Sequence, residues 1–295
     1  MSSAILDEQI VRRAGWRQST LGRIVGRPGG FFGTAVVACL LVVVAFAGTI
    51  APYSAAAQDI PARLQGPSWH HLLGTDQLGR DLLSRILFGV RIELKVAVPA
   101  VVAAWVFGEA LGLVAGYLGG VVDNVLMVVM DTLQAFPAVI LALTLLALLG
   151  PSLIDVIIVI AVSYAPGYAR VTRASVLGVK QDTFVEAERA LGAGKSRITF
   201  VHILPNIMPP LFILSAMNLP SAIATEVGLS FLGLGVQPPT PSWGVILADG
   251  FTYVEAAPWA VLWVALFLMV TTLGFTTLGE RLRDVVDPRL AGSER

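Results

Sequence analysis

Between Arg27 and Asp59 the chain carries no charged residue, and the heart of that stretch, Phe31 to Ala51, is almost wholly apolar. A bilayer core is roughly 30 Å thick and takes about 20 apolar residues of helix to cross. Five further stretches meet the same test: about Leu94 to Tyr117, Val122 to Leu149, Leu153 to Tyr168, Ile207 to Leu234 and Ala257 to Leu278. A Gly150-Pro151-Ser152 turn divides the third from the fourth. Charged residues make up 14% of the 295, too few to solvate a soluble surface, for which about 25% is usual. The spacing predicts an all-α membrane protein, a bundle of six transmembrane helices filling residues 31–280, with no soluble domain. The 29 glycines and 17 prolines suit membrane helices that pack closely and kink.

Lysine and arginine set the expected orientation, because positive loops stay on the cytoplasmic side. The amino tail, 1–30, holds Arg12, Arg13, Arg17, Arg23 and Arg27. The loop 170–206 holds Arg170, Arg173, Lys180, Arg189, Lys195 and Arg197, and the carboxyl tail, 281–295, holds Arg281, Arg283, Arg289 and Arg295. With six spans these three segments share one side, and both termini are expected in the cytoplasm. Arg63, Arg80, Arg85, Arg91 and Lys95 fall in or beside the long opposite loop, 52–93. The basic amino tail, the apolar run and Ala55-Ala56-Ala57 imitate a cleavable signal peptide, but the run is about twice a normal signal core, so it reads as a span. Net charge is zero, which gives no basic field for nucleic acid, and the single Cys39 allows no internal disulfide.

The loop QDTFVEAERALGAGKSRITFVHILPN, residues 181–206, is the most informative. Thr183 and Glu186 have capping-box spacing, predicting a helix that starts at Thr183. Phe184, Ala187 and Leu191 then share a face, Ala187 and Ala190 leave room for another surface, and Gly192 suits a left-handed stop. A second short helix, Ser196 to Leu204, is expected to end at Pro205. These patterns fit either an ordinary amphipathic loop or a docking surface.

Upstream, Leu78, Leu82, Leu83, Ile86 and Val90 stand at helical spacing with Arg80, Asp81 and Arg85 between them. This reads as an amphipathic helix on the outer membrane surface, or as a lead-in to the second span. Glu109, Asp131 and Glu226 are intramembrane acids, which either bond neighbouring helices or line a polar path. Glu226 leads into Leu229-Ser230-Phe231-Leu232-Gly233, which favours the path for Glu226 and Phe231. His70 and His71 are adjacent with no third ligand spaced nearby, so an interfacial role is expected instead of a metal site. Gly194-Lys195-Ser196 imitates the end of a phosphate-binding loop, but Arg189 stands where its first glycine belongs.

The string EAERALG, followed after nine residues by HILP, resembles the EAA signature of permease subunits in ABC importers. Glu186, Ala187, Gly192, Leu204 and Pro205 match, while Glu188 replaces the second alanine and His202 stands at the isoleucine position. HHLLGTDQLGRDLLSRILFGVRIEL (70–94), GLSFLGLGVQPPTPSWG (228–244) and GERLRDVVDPRL (279–290) resemble the C-type permease of dipeptide, oligopeptide and nickel importers. The resemblance implies a type I importer permease in a bacterial cytoplasmic membrane. Its partners would be a second homologous permease, two ABC ATPase subunits and an extracytoplasmic binding protein. The loop would be the coupling helix that enters a groove of the ATPase, carried by Thr183, Phe184, Glu186, Ala187, Ala190, Leu191, Gly192, Leu204 and Pro205. ATP and Mg would sit in the partners, with no cofactor on this chain, and alternating access would move the cargo. The resemblance leaves that cargo open among dipeptides, oligopeptides, nickel chelates and haem.

An ion-driven secondary transporter would also explain the acids, but it usually shows paired repeats of broken helices, and none is legible. A membrane enzyme would need a convergent catalytic set, and neither H-E-x-x-H nor a useful carboxylate pair occurs. The charge asymmetry is directly testable. Cysteine labels placed within 181–197 should react only from the cytoplasm, and a label near Asp59 only from outside. Outside labelling of 181–197 would defeat both the span count and the coupling assignment.

Overall fold

The structure, a computed structural model, describes residues 20–286. Arg12, Arg13, Arg17, Arg289 and Arg295, and the end of the 279–290 string, lie outside the described residues. Among the described residues, five helices are long and apolar enough to cross a membrane, and a bent pair makes a sixth span if its two arms count as one. A short α1, Thr20–Val25, leads into α2, Pro28–Ile50, which carries no charge and opens with Pro28 in its first turn, where a missing amide costs nothing. Next come α3, Leu82–Leu118, and the pair α4, Gly120–Ala135, and α5, Ala138–Leu149. The chain continues with α6, Leu153–Val179, and α7, Thr183–Ala190. One turn, α8, Lys195–Arg197, passes through a π-helical stretch, Ile198–Ile203, into α9, Leu204–Phe231. Then α10, Trp243–Thr252, and α11, Trp259–Val286, complete the order.

Three expectations change. Of its two readings, the segment 78–90 takes the lead-in and not the surface helix: from Leu82 it forms the first turns of α3, with Leu82, Ile86 and Val90 buried beneath the 51–81 loop and α10. Its charges fit there because acidic partners meet them. The expected span 122–149 is not continuous: α4 and α5 meet at 94°. Pro137 has no amide to donate and forces Phe136 into extended backbone, φ −81° and ψ 135°, so helix cannot run through. Pro205, in contrast, ends nothing. The preceding π-turns bond Leu204 N–H to Thr199 O, five residues back, and this wider register accepts the proline in the first turn of α9.

α3 is the centre of the bundle. It packs most extensively on α6 and also meets α9 and α2, while α11 closes the far side against α2 and α9. The α3–α6 contact runs along Gly108, Gly112 and Gly116, one glycine per turn on a single face. A Cβ at Gly108 would stand 2.5 Å from Ala165 O, and one at Gly112 would stand 2.3 Å from Ala169 O. The backbones therefore touch with no side chain between them. In lipid, where apolar surface gains little from leaving the solvent, such close dispersion contact is a main source of helix association. Both helices keep a proline inside, Pro99 and Pro166.

This geometry predicts the effect of filling the stripe. Gly112→Leu should push α6 off α3 and destabilise the purified chain in detergent by about 1–3 kcal/mol or more. Gly167→Ala, whose added carbon meets nothing within 4 Å, is the control and should leave the thermal midpoint unchanged or slightly higher.

Candidate functional site

At one end of the bundle, α6 runs out at Lys180, whose Nζ donates to Tyr117 O at 2.7 Å and lies over the Tyr117 ring. That pins the last turn of α6 to the last turn of α3. Two ion pairs tie α6 to α4 on the same stretch. Arg173 grips Asp123 with two bonds, at 2.5 and 2.6 Å, and Arg170 reaches Asp131 at 2.6 Å. Both pairs are at least partly exposed, so their value is orientation more than stability.

α7 follows after three residues, Lys180, Gln181 and Asp182. Its N-cap is Asp182, not Thr183, with extended backbone and no side-chain cap bond. The expected capping box therefore does not form. With the cap one residue earlier, Thr183 is already inside the helix and Glu186 falls one place beyond the position that could reach back. The other end follows expectation at the backbone. Gly192 sits at φ +84°, its N–H bonds Arg189 O at 3.0 Å, and Ala193 N–H bonds Glu188 O at 3.0 Å. That is a Schellman stop, and it needs a residue free to adopt positive φ.

One side chain holds α7 down. Val185 is fully buried among Val176, Ile198, Ile203 and Ile207, with Leu113, Tyr117 and Leu204 packed around them. Thr183, Phe184, Glu186, Ala187, Ala190, Leu191 and Gly192 all face outward, and Leu191 is 83% exposed. Of the remaining expected residues, Leu204 joins the anchor cluster and Pro205 is exposed. Sequence reasoning missed Val185, whose signal is an apolar residue on the face opposite Ala187. It also missed that the two departures from the signature meet. His202 Nε2 lies 3.6 Å from Glu188 Oε2, joining α7 to the π-helical stretch.

The four residues considered for a path are not brought together. Glu109 is half-buried on α3, with Oε1 lacking a partner. Asp131 is exposed and paired with Arg170. Phe231 ends α9 with its ring edge-on to Phe251 at 5.9 Å. Glu226 is fully buried, so it lines no opening in this structure, and Ser230 Oγ donates to it at 2.6 Å.

The opposite end of the bundle is clamped by charge. Asp76 in the 51–81 loop accepts from Arg80 Nε at 2.6 Å and from Arg85 Nη1. Asp249 on α10 meets Arg80 Nη2 at 3.1 Å and Arg85 Nη1 at 3.5 Å. Loop, α3 and α10 therefore share one four-residue network. Beside it, Asp81 caps α3 by accepting from Ser84 N at 2.8 Å, and it faces His71 Nδ1 at 3.0 Å. His71 thus has a carboxylate partner, and among the described residues no group of three or more metal-ligating side chains gathers.

Among the described residues, a bundle of five or six candidate spans with a short exposed helix at one end defines a multi-pass membrane protein. The chain belongs to the family described as binding-protein-dependent transport system inner membrane component, whose profile matches residues 108–292. It is 38% identical over 258 residues to the dipeptide transport system permease protein DppC of Alkalihalophilus pseudofirmus, covering 88% of this chain and 85% of that one. It is 41% identical to the di/tripeptide permease protein DppC of Pseudomonas aeruginosa, covering 86% and 85%. Against the glutathione permease protein GsiD of Pectobacterium atrosepticum the identity is 40%, covering 85% and 84%. Among solved structures, an inward-facing MetNI methionine ABC transporter chain matches with a TM-score of 0.57 at 18% identity, covering 69% of this chain and 97% of that chain. The protein is a multi-pass inner-membrane permease subunit of an ABC importer, non-catalytic and without a bound cofactor, and ATPase and binding-protein partners follow from its family.

If Val185 is the anchor and the outer face is free, the two should respond differently to substitution. Val185→Asp would place an unpaired charge in an apolar cluster at a cost of several kcal/mol and release α7. Hydrogen exchange across 183–191 should then rise strongly, while Leu191→Ala should leave it unchanged.

Proposed function

We propose that this chain forms one half of the translocation path for small peptides, in a complex with a second homologous permease, two ATPase subunits and an extracytoplasmic binding protein. The observation that carries this reading is α7, a helix of eight residues held by one buried side chain with the rest of its face unoccupied. Such a helix serves as a lever when its exposed face enters a partner's groove. At about 1.5 Å per residue it is roughly 12 Å long, enough for one groove and no more. On this reading α7 and both termini are cytoplasmic, and Phe184, Ala187, Ala190 and Leu191 meet the ATPase. Movement of α7 reaches α6 through Val185 and Val176, and α9 through Ile198 and Ile203.

The peptide cargo is supported by the names of relatives near 40% identity, which are dipeptide, di/tripeptide and glutathione permeases. Exposed Phe231 and half-buried Glu109 are the favoured wall residues, and Asp131, paired with Arg170, is a separate candidate. Glu226, being fully buried, is not among them.

Two variants test the lever. Gly192→Val forces a β-branched side chain into the left-handed region, and Ala187→Trp blocks close approach. Both should insert normally yet reduce uptake by more than about tenfold, the factor that ~1.4 kcal/mol represents. ATPase stimulation by loaded binding protein should be lost with it. Normal uptake by both at matched membrane abundance would overturn the coupling role. Cargo uptake by this chain alone, driven by an ion gradient, would replace the whole reading.

A further inference from the structure

The two ion pairs that join α4 to α6 are built differently. Arg173 uses both oxygens of Asp123, with Nε on Oδ1 and Nη2 on Oδ2, and the Asp123 side chain is nearly covered, at 11% exposure. Arg170 instead puts Nε, at 3.2 Å, and Nη2, at 2.6 Å, on the same Oδ1 of Asp131. Its side chain is 48% exposed and that of Asp131 is 58% exposed. Oδ2 of Asp131 and Nη1 of Arg170 are thus left open, an acceptor and a donor side by side. The first pair already ties the helices together, so a tie does not account for the openness of the second.

The open pair also stands well inside its helices. At 1.5 Å per residue Asp131 is roughly 17 Å along α4 from Gly120, and Arg170 is roughly 14 Å back along α6 from Val179. Around it α4 exposes Val125, Val128, Val129 and Ala135. On α6 the neighbouring turns offer only Gly167, where an added Cβ would meet nothing within 4 Å, and exposed Ala174. Charged side chains within membrane helices are costly against lipid and face a bundle interior or water. The bundle does not cover this pair, so the face of α4 and α6 that carries it opens on a polar space.

We propose that the Asp131–Arg170 pair is a cargo-facing site that takes the two charged ends of a small zwitterionic peptide, the ammonium on Asp131 and the carboxylate on Arg170. This rests on the peptide-cargo reading above and names the chemistry that recognises the cargo. The pair is neutral overall, so it does not repel a neutral peptide, and each peptide end takes the place of a pair member of its own sign. An exposed ion pair is weak and opens at little cost. The planar guanidinium fork matches a carboxylate. Fully extended, a dipeptide spans about 7 Å and a tripeptide about 11 Å, more than the closed pair spans at 2.6 Å. Holding both ends therefore parts the pair, with one peptide end on α4 and the other on α6. A peptide with both ends blocked offers no charge with which to part it.

The test reads occupancy of the site in the assembled importer in lipid nanodiscs, so its outcome does not depend on α7. Cys39→Ser removes the sole cysteine, and Val128→Cys then places a reporter one turn from Asp131. The reporter should react with a water-soluble maleimide. L-alanyl-L-alanine should slow that reaction, by roughly tenfold at about ten times its half-saturating concentration, and its N-acetyl, C-amide form should not. Asp131→Asn with Arg170→Gln keeps a hydrogen bond between the helices but no charge, and should abolish both the protection and the uptake of the dipeptide. Reaction with a lipid-soluble maleimide alone would place this face against lipid, and no reaction with either would place it against the second permease. Each result overturns the proposal, as does equal protection by the blocked peptide or protection retained in the Asn–Gln variant. Dipeptide uptake without protection would overturn the site and leave the peptide reading standing, whereas absence of both would remove the two together.

Discussion

The contact of α3 with α6 along Gly108, Gly112 and Gly116 is the constraint on which the other features depend. With Cβ positions lying 2.3 to 2.9 Å from the opposite helix, the two backbones cannot slide or part by small steps without changing every turn of the contact. α3 carries the 51–81 loop and α10 at one end through Arg85, Glu93 and Gly89. α6 carries α7 at the other end through Lys180, Val176 and the short link to Asp182. A tightly packed pair of long helices is thus the physical connection between the two ends of the subunit. Packed interfaces of this density pass on displacement because they deform little.

Charge is used differently at the two ends, and burial explains the difference. At the α7 end the pairs Asp123–Arg173 and Asp131–Arg170 are partly exposed, and Glu188 and His202 sit 3.6 Å apart without close geometry. Such pairs are individually weak and break without large cost. At the α10 end Asp76, Arg80 and Arg85 are nearly inaccessible, and taking any one away would strand the others in a low-dielectric interior. The permease therefore combines a rigid clamp on one side with easily rearranged contacts on the side proposed to follow the ATPase.

Prolines mark where the helices were made to yield, and their effects depend on neighbours that sequence spacing does not reveal. Pro137 breaks the α4–α5 pair because no wider turn precedes it and Phe136 is driven extended. Pro205 sits after a π-helical stretch whose altered register already omits the bond that the proline could not make. The same residue type gives a 94° bend in one place and an uninterrupted helix in the other.

The helical class and the position of α7 were legible in the sequence, because membrane helices obey local rules: apolar length and Gly192 at a stop. The stripe GEALGLVAG also stood in plain view as three glycines spaced by four, although only the structure says which helix fills it. What the sequence left undecided depended on partners distant along the chain. The 78–90 segment reads as amphipathic until Asp249, more than 150 residues away, accounts for its arginines. Val185 reads as one more apolar residue until Ile198, Ile203 and Ile207 close over it. Glu226 reads as a path residue until helix packing leaves it fully buried against Ser230. A local pattern determines which helix forms. Only tertiary packing decides whether a polar side chain on it meets water, an ion or a buried hydroxyl, because that depends on the dielectric and the partners brought by other helices.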